Sequence, residues 1–337
     1  MKRLIPVFIL LGVASTALLF HKTRRQPPAM PKAPRQNPGD NLILSPGAPP
    51  PDAPYLVVLG ISQDAGYPQA GCQKACCAPA WKDQRKRRHP VCVAVVDPGT
   101  EKRWLFDCTP AFPDQLRALD QIAPPQQGHG ISGILLTHAH IGHYTGLIHL
   151  GREAMGVRGV PVHAMPRMTT ILKQHAPWNL LVEQRHLDLQ PLAGGQAFPL
   201  QEGIVVTPLT VPHRSELSET VGFRIQGPQR SVLYLPDIDK WERWDTKIED
   251  VIQTVDVAYV DGTFYANGEI PGRDMSEIPH PFIEESIHRF APLSARDRNK
   301  IRFLHLNHTN PALDPNSPAA RRIRQAGHHV AEQGESV

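Results

Sequence analysis

Three histidines stand within six residues in "LLTHAHIGHYTGL" (Leu135 to Leu147), at positions 138, 140 and 143. Neutral imidazole is a borderline ligand that suits zinc, iron and similar ions, so the cluster points first to metal chemistry. On extended backbone His138 and His140 point the same way, and His143, on the turn into a helix, approaches from another side. Three more polar residues close apolar runs: His213 after "VVTPLTVP", Asp237 after "SVLYLP" and His308 after "FLHLN". Ends of buried strands are rigid, and metal ligands need that rigidity because their distances must hold to within about 0.2 Å. His138, His140, His143, His213, Asp237 and His308 are therefore the expected metal ligands. His138, His140, His143 and Asp237 form the expected catalytic core. His305, in the same strand as His308, is expected as an outer partner or a core residue. Asp261, closing "VAYVD", is expected to orient a ligand histidine through its other nitrogen. Glu216 and Glu219 follow His213 closely and read as surface charges, with a place as outer partners of the ligands as the alternative. His149, His163, His175 and His186 read as ordinary surface or core residues.

"GCQKACC" supplies Cys72, Cys76 and Cys77. Thiolates on such a loop can hold a structural zinc tetrahedrally, with His89 as a fourth ligand. A disulfide or free thiols are the competing readings, and the neighbours Cys76 and Cys77 do not bridge each other without strain. Cys92 and Cys108 fall in predicted strands and read as buried thiols.

Short apolar runs punctuated by turn residues position these groups. "YLVVLG" predicts a buried strand, and "VCVAVVD" and "KRWLFDC" around "PGTE" predict a hairpin. "FPDQLRALDQI" has helical spacing with proline in the first turn. "ISGILLTH" predicts a strand ending on His138, "TGLIHLGREAMG" a helix, "VPVHAM" a strand and "PRMTTILKQH" a helix. The second half repeats the rhythm: strands in "GIVVTPLTVPH", "TVGFRIQG", "SVLYLPD", "DVAYVDGTF" and "KIRFLHLNHTNP", and a helix in "PFIEESIHRF". "AARRIRQAGHHVAEQGESV" predicts a helix, a glycine stop and a short tail. Strand clusters with interspersed helices in each half imply two packed sheets with helices outside, an α+β arrangement.

The chain has 337 residues, 41% hydrophobic and 20% charged, enough for a sizeable core. Its net charge is +4. The basic runs "HKTRRQ" and "KDQRKRRHP" carry no interleaved aromatic residues and read as solvated faces, so no nucleic-acid partner is expected. "MKR" before the apolar run Leu4 to Phe20 describes a signal peptide or an uncleaved membrane anchor over residues 1–25. Residues 26–54 are a proline-rich linker. A folded domain is expected over 55–337, outside the cytoplasm, in the periplasm or extracellular space.

"THAHIGH", "VPHRSE", "LPDID" and "LNHTNP", in that order after "VVLG", resemble the metallo-β-lactamase superfamily. Within it, "GYPQAGC", "TVGFRI", "YLPDIDKWE", "VDGTFY", "RDMSEIPHPFI" and "HLNHTNP" resemble the coenzyme PQQ biosynthesis protein B group. The likeness runs from about Tyr55 to Leu313. It implies an αββα sandwich with the metal site at one sheet edge. It implies a first metal on His138, His140 and His213, a second on His143 and His308, and Asp237 bridging them. Gly142 stands where the superfamily has a metal-binding aspartate. The resemblance thus leaves open a mononuclear site and one completed by another carboxylate, such as Asp64 in "SQDAGYP". His280 in "EIPHP" is similar to a residue of the PQQ group, with a place in the substrate pocket or a loop-packing role. The cysteine loop is similar to a structural zinc knuckle of that group. One or two zinc ions are the implied cofactors, with iron as the alternative. The implied activity is hydrolysis of an ester, amide or phosphoryl bond in a small molecule or peptide. An iron-dependent oxidoreductase and a metal-binding module without catalysis are the rivals. The oligomeric state stays open.

Overall fold

The described residues of the computed structural model are 53–337. The expected leader, and the linker up to residue 52, lie outside them. Among the described residues no helix is long and apolar enough to cross a membrane.

Each half of the chain builds one sheet. The first holds β1 (Tyr55–Gly60), β2 (Cys92–Asp97), β3 (Lys102–Phe106), β4 (Gly133–Leu135), β5 (Val160–Ala164) and β6 (Leu187–Pro191), in that order. The second holds β7 (Phe198–Gln201), β8 (Ile204–Val211), β9 (Thr220–Gln226), β10 (Ser231–Leu235), β11 (Val257–Asp261), β12 (Ile301–Leu304) and β13 (His329–Val330). β1 to β3 pair antiparallel and β3 to β6 parallel. β7 to β10 pair antiparallel and β10 to β13 parallel.

Strands such as β1, β2 and β11 are buried at every position because both their faces are covered. In β1, Leu56 and Val58 turn toward the second sheet and join Phe223, Leu233, Val260 and Phe303. Tyr55, Val57 and Leu59 turn the other way, onto Phe112, Leu119 and Leu172 of the helices Phe112–Ile122 and Pro166–Gln174. The helices Ile283–Phe290 and Pro318–Gln325 cover the second sheet. The result is the expected αββα sandwich.

Two local expectations change. The stretch "TGLIHLGREAMG" forms a 3-10 segment, Thr145–Leu150, followed by turns, in place of a helix, and a short helix, Ile141–Tyr144, precedes it. Gly146 packs its backbone against residues 108–112, where a Cβ would come within 2.2 Å of the Thr109 carbonyl oxygen. The C-terminal residues are also more than a tail. After Gly327 (φ +85°) they supply β13, and Glu335 and Val337 exchange backbone hydrogen bonds with β1.

Candidate metal centre

β3, β4, β8, β10, β11 and β12 all run the same way within their sheets, and each ends at or within three residues of a functional residue. Asp107 follows β3, His138 follows β4, His213 follows β8, Asp237 follows β10, Asp261 ends β11 and His305 follows β12. Asp107 and His305 repeat one device. Each sits directly after its strand in the left-handed region, at φ +69° and +62°. Such a conformation costs roughly 1–3 kcal/mol in a non-glycine residue and persists only where the surroundings impose it.

The ligands form two sets that share Asp237. In the first, His138 Nε2 and His140 Nδ1 are 2.8 Å apart, and His213 Nε2 lies 3.3 Å from His140 Nδ1 and 3.3 Å from Asp237 Oδ1. In the second, His143 Nε2 lies 3.2 Å from Asp64 Oδ1 and 3.7 Å from Asp237 Oδ2. His305 Nε2 stands 3.9 Å from the same Asp64 oxygen and 3.7 Å from Asp237 Oδ2. Asp64 thereby takes the place left by Gly142. A Cβ on residue 142 would lie 2.2 Å from Asp64 Oδ1 and 2.4 Å from its Cα, so only glycine admits this carboxylate.

The outer face of each imidazole is spoken for. His143 Nδ1 donates to Asp107 Oδ2 at 2.8 Å. Asp107 also accepts from the Thr137 backbone and hydroxyl and from the Tyr234 hydroxyl. His213 Nδ1 faces Asp239 Oδ1 at 3.2 Å, and Arg243 donates to the other Asp239 oxygen. His305 Nδ1 meets the Thr263 hydroxyl at 2.8 Å, which in turn donates to Asp261. His140 Nε2 lies 3.4 Å from Glu216 Oε1. With outer nitrogens engaged, the inner ones turn lone pairs toward a common centre, the carboxylate–histidine–metal arrangement.

Four of the converging atoms are buried and make no hydrogen bond: Asp64 Oδ1, His143 Nε2, His305 Nε2 and Asp237 Oδ1. Buried polar atoms are rarely left unpaired, and three of these, from Asp64, His143 and His305, lie within 4.8 Å of one another, a grouping that fits a cation. The electrostatics agree. Burial pushes the His138 imidazole well below its ordinary range, which keeps a lone pair free. Burial alone would raise Asp237 and Asp64. The surrounding histidines outweigh it and hold both carboxyls well below the usual range, as anions. Asp107→Asn keeps the shape of the outer partner and removes its charge. We expect it to weaken metal affinity at the second position by about 10- to 100-fold, measured by competition with a chromogenic chelator.

The structure corrects two expected ligands. His308 does not join the second set, and His305 stands there instead. The left-handed turn at His305 brings that residue inward and carries His308 round to the cysteines. His308 Nδ1 lies 3.3 Å from Cys77 Sγ and 3.8 Å from Cys76 Sγ, and Cys72 Sγ lies 3.7 Å from Cys76 Sγ. His89 in turn is absent from the cysteine group, whose four donor atoms lie within 4.8 Å of one another. Its carbonyl is tied to the amides of Ile61 and Ser62. All five cysteines are free thiols, with Cys92 and Cys108 buried. Burial, reinforced by the neighbouring thiols, pushes Cys77 up to about 12, a crowding that a bound cation relieves.

His280, the soft candidate, is buried at the centre, with Nδ1 2.8 Å from Asp261 Oδ2 and 3.3 Å from Asp237 Oδ1. Asp261 therefore reaches His280 directly and His305 through Thr263. Glu216 stands against His140, closer to the site than a plain surface charge. Asp107, Asp239, Thr137 and Thr263 had not been singled out. Asp107 and Asp239 carry the same strand-end signal as the ligands, in "WLFDC" and "LPDID".

A family described as "Beta-lactamase superfamily domain" matches residues 102–305. The chain is 28% identical over 312 residues to coenzyme PQQ synthesis protein B of Xanthomonas euvesicatoria pv. vesicatoria, covering 84% of this chain and 99% of that one. The protein of the same name from Methylobacterium nodulans is 27% identical, covering 83% and 98%. Among solved structures, zinc-bound PqqB from Methylobacterium extorquens is similar at a TM-score of 0.71 and 22% identity, covering 84% and 99%. A diphosphatase from the PhnP family is similar at 0.59 and 24% identity, covering 84% and 96%. At these identities the two structures speak for the fold.

Proposed function

We propose, from the premise that this chain belongs to the β-lactamase superfamily, that it is a metal-dependent hydrolase of anionic substrates, with phosphodiesters the favoured class and zinc the favoured metal. The observation that carries this reading is the pair of ligand sets sharing Asp237, with Asp64 Oδ1, His143 Nε2, His305 Nε2 and Asp237 Oδ1 left without a hydrogen-bond partner. Cations held there would lower the pKa of water toward about 7 and polarise the oxygen of the scissile bond.

The chain's own residues supply the rest. The Arg214 guanidinium lies 3.5 Å from His140 Nδ1, the nitrogen that faces the first position. An exposed cation at the mouth of the site favours a substrate that carries negative charge beside the bond to be broken. Ile141 and Leu217 follow His140 and Glu216 in the chain and are 68% and 51% exposed. They offer an apolar rim for the remainder of the substrate. Burial alone would lower His280, but Asp261 and Asp237 outweigh it and push it up to about 9.

The test is turnover by the purified chain of bis-p-nitrophenyl phosphate, p-nitrophenyl acetate and a chromogenic β-lactam. Phosphodiester turnover that is lost to a chelator and restored by zinc is expected. Failure to hydrolyse any of the three under metal replete conditions would overturn the hydrolase reading. Arg214→Ala should raise KM for the phosphodiester by roughly 10- to 100-fold, the worth of a hydrogen bond to a charged group. Turnover of the neutral acetate ester should change less than about twofold, since it presents no charge to the guanidinium.

A second reading is an iron-dependent oxidoreductase, favoured by the likeness to coenzyme PQQ synthesis protein B along nearly the whole of that protein. Iron as the metal retained on purification, with oxygen consumption and no ester turnover, would support it against the first.

A further inference from the structure

Away from the metal centre, one cavity gathers three arginines. Its volume is about 560 Å³, and Arg152, Arg158, Glu183, Gln184, Arg185 and His186 line it. Small-molecule sites usually occupy roughly 300–1,000 Å³. Its place in the fold separates it from the metal ligands. β4, β5 and β6 run parallel, and His138 follows the C-terminal end of β4. The cavity lies at the other ends of these strands. There Gly159 N donates to the Arg185 carbonyl and Val160 N to that of His186, where β5 and β6 begin.

The charge on this wall is not balanced from within the chain. Arg158 and Arg185 have no carboxylate partner among the described residues. Arg152 Nε meets Glu153 Oε1 at 2.8 Å, but both side chains are exposed, and such pairs are weak. Glu183, the carboxylate on the wall, accepts from Asn179 Nδ2 at 3.2 Å. Arg185 is held at φ +59°, in the left-handed region that Asp107 and His305 occupy at the metal centre. Strained non-glycine residues of this kind gather at ligand sites.

His186 supplies an independent sign of a ligand. It is 4% exposed, and its Nδ1 donates to the Val157 carbonyl at 2.6 Å. Its Nε2 is buried and has no hydrogen-bond partner, which is rare for such an atom. With the proton on Nδ1, Nε2 offers a lone pair to a hydroxyl that enters the cavity.

We propose that this cavity is a second small-molecule site and takes a phosphate ester that bears hydroxyl groups. The guanidinium groups of Arg158 and Arg185, joined by Arg152, hold the phosphate, whose oxygens they match two at a time. His186 Nε2 and Glu183 accept from hydroxyls on the remainder. The Glu183 charge also sets the site against a polyanion. A soluble polyol phosphate and the glycerol headgroup of an anionic phospholipid share this chemistry.

The probes are radiolabelled glycerol 3-phosphate in equilibrium dialysis, and vesicles of phosphatidylglycerol against phosphatidylcholine in a sedimentation assay. The metal-loaded protein should bind one of the two sources. Arg158→Ala and Arg185→Gly should each weaken that binding by roughly 10- to 100-fold, the scale for losing a hydrogen bond to a charged group. Glycine suits the left-handed backbone at 185, so this variant removes the cation without straining the fold. Turnover of bis-p-nitrophenyl phosphate should stay at the wild-type level in both, and Arg214→Ala should bind the probe as wild type does. Uptake of glycerol 3-phosphate would assign the site to a soluble ester. Sedimentation with phosphatidylglycerol alone, lost in both variants, would assign it to a headgroup. Binding of neither probe, binding that survives both substitutions, or binding lost in Arg214→Ala would overturn the proposal.

Discussion

Asp237→Asn is expected to empty the second metal position, weaken the first by more than about 100-fold, and reduce phosphodiester turnover at least in proportion, because even outer partners of metal ligands are worth roughly 10- to 100-fold. The geometry behind this is concentrated in one carboxylate. Oδ2 lies 3.4 Å from His138 Nε2 and 3.7 Å from both His143 Nε2 and His305 Nε2. Oδ1 lies 3.3 Å from His213 Nε2 and 3.3 Å from His280 Nδ1. Five imidazoles thus surround a group that is itself buried and anionic. An asparagine amide is neutral, and its nitrogen side presents donors where lone pairs are needed. It can serve one position through its oxygen and neither with its charge. Elemental analysis of dialysed protein and turnover of bis-p-nitrophenyl phosphate check this together. Two ions retained at the centre with near wild-type turnover would show that Asp237 does not bridge.

Gly142→Asp is expected to damage the centre, although it restores the superfamily's motif. The carboxylate of the second position already comes from Asp64, on a different loop. Any side chain at 142 meets Asp64 at 2.2 Å from Oδ1 and 2.4 Å from Cα, and the second of these is backbone. The loop has to retreat, taking its ligand with it. Overpacking of this kind typically costs about 1–3 kcal/mol, so a lower melting temperature should accompany loss of the second-position ion. Asp64→Asn, by contrast, should lose the same ion with the fold intact, since it adds no bulk. Elemental analysis and thermal melts of the two variants separate these effects. A Gly142→Asp protein that binds the second ion more tightly, at unchanged melting temperature, would refute the exchange of carboxylates.

These two residues also mark where reading along the chain stops being enough. The αββα architecture was legible in the sequence because buried strands and amphipathic helices write their periods directly into it. His138, His140, His143, His213 and Asp237 were legible for a related reason. Each lies within a few residues of an apolar run, so a local rule about strand ends finds it. The cysteine loop marked a cluster of thiols by composition, but left zinc, disulfide and free thiol as competing readings.

Only the tertiary structure decided which histidine serves which metal site. His305 and His308 sit three residues apart on one segment, and a single left-handed residue at the end of β12 sends one to the active centre and the other to the cysteines. Nothing in side-chain type predicts that dihedral, because the surrounding packing imposes it. Asp64 and Gly142 are 78 positions apart in the chain, and their exchange is a matter of two backbones coming within contact. The outer carboxylates Asp107 and Asp239 likewise acquire their roles from strands that meet across the sandwich. The sequence by itself determined the layers and the kinds of ligand, since hydrophobic period and residue chemistry are local properties. The pairing of ligands into sites came from the fold, since it depends on distances that no local pattern encodes.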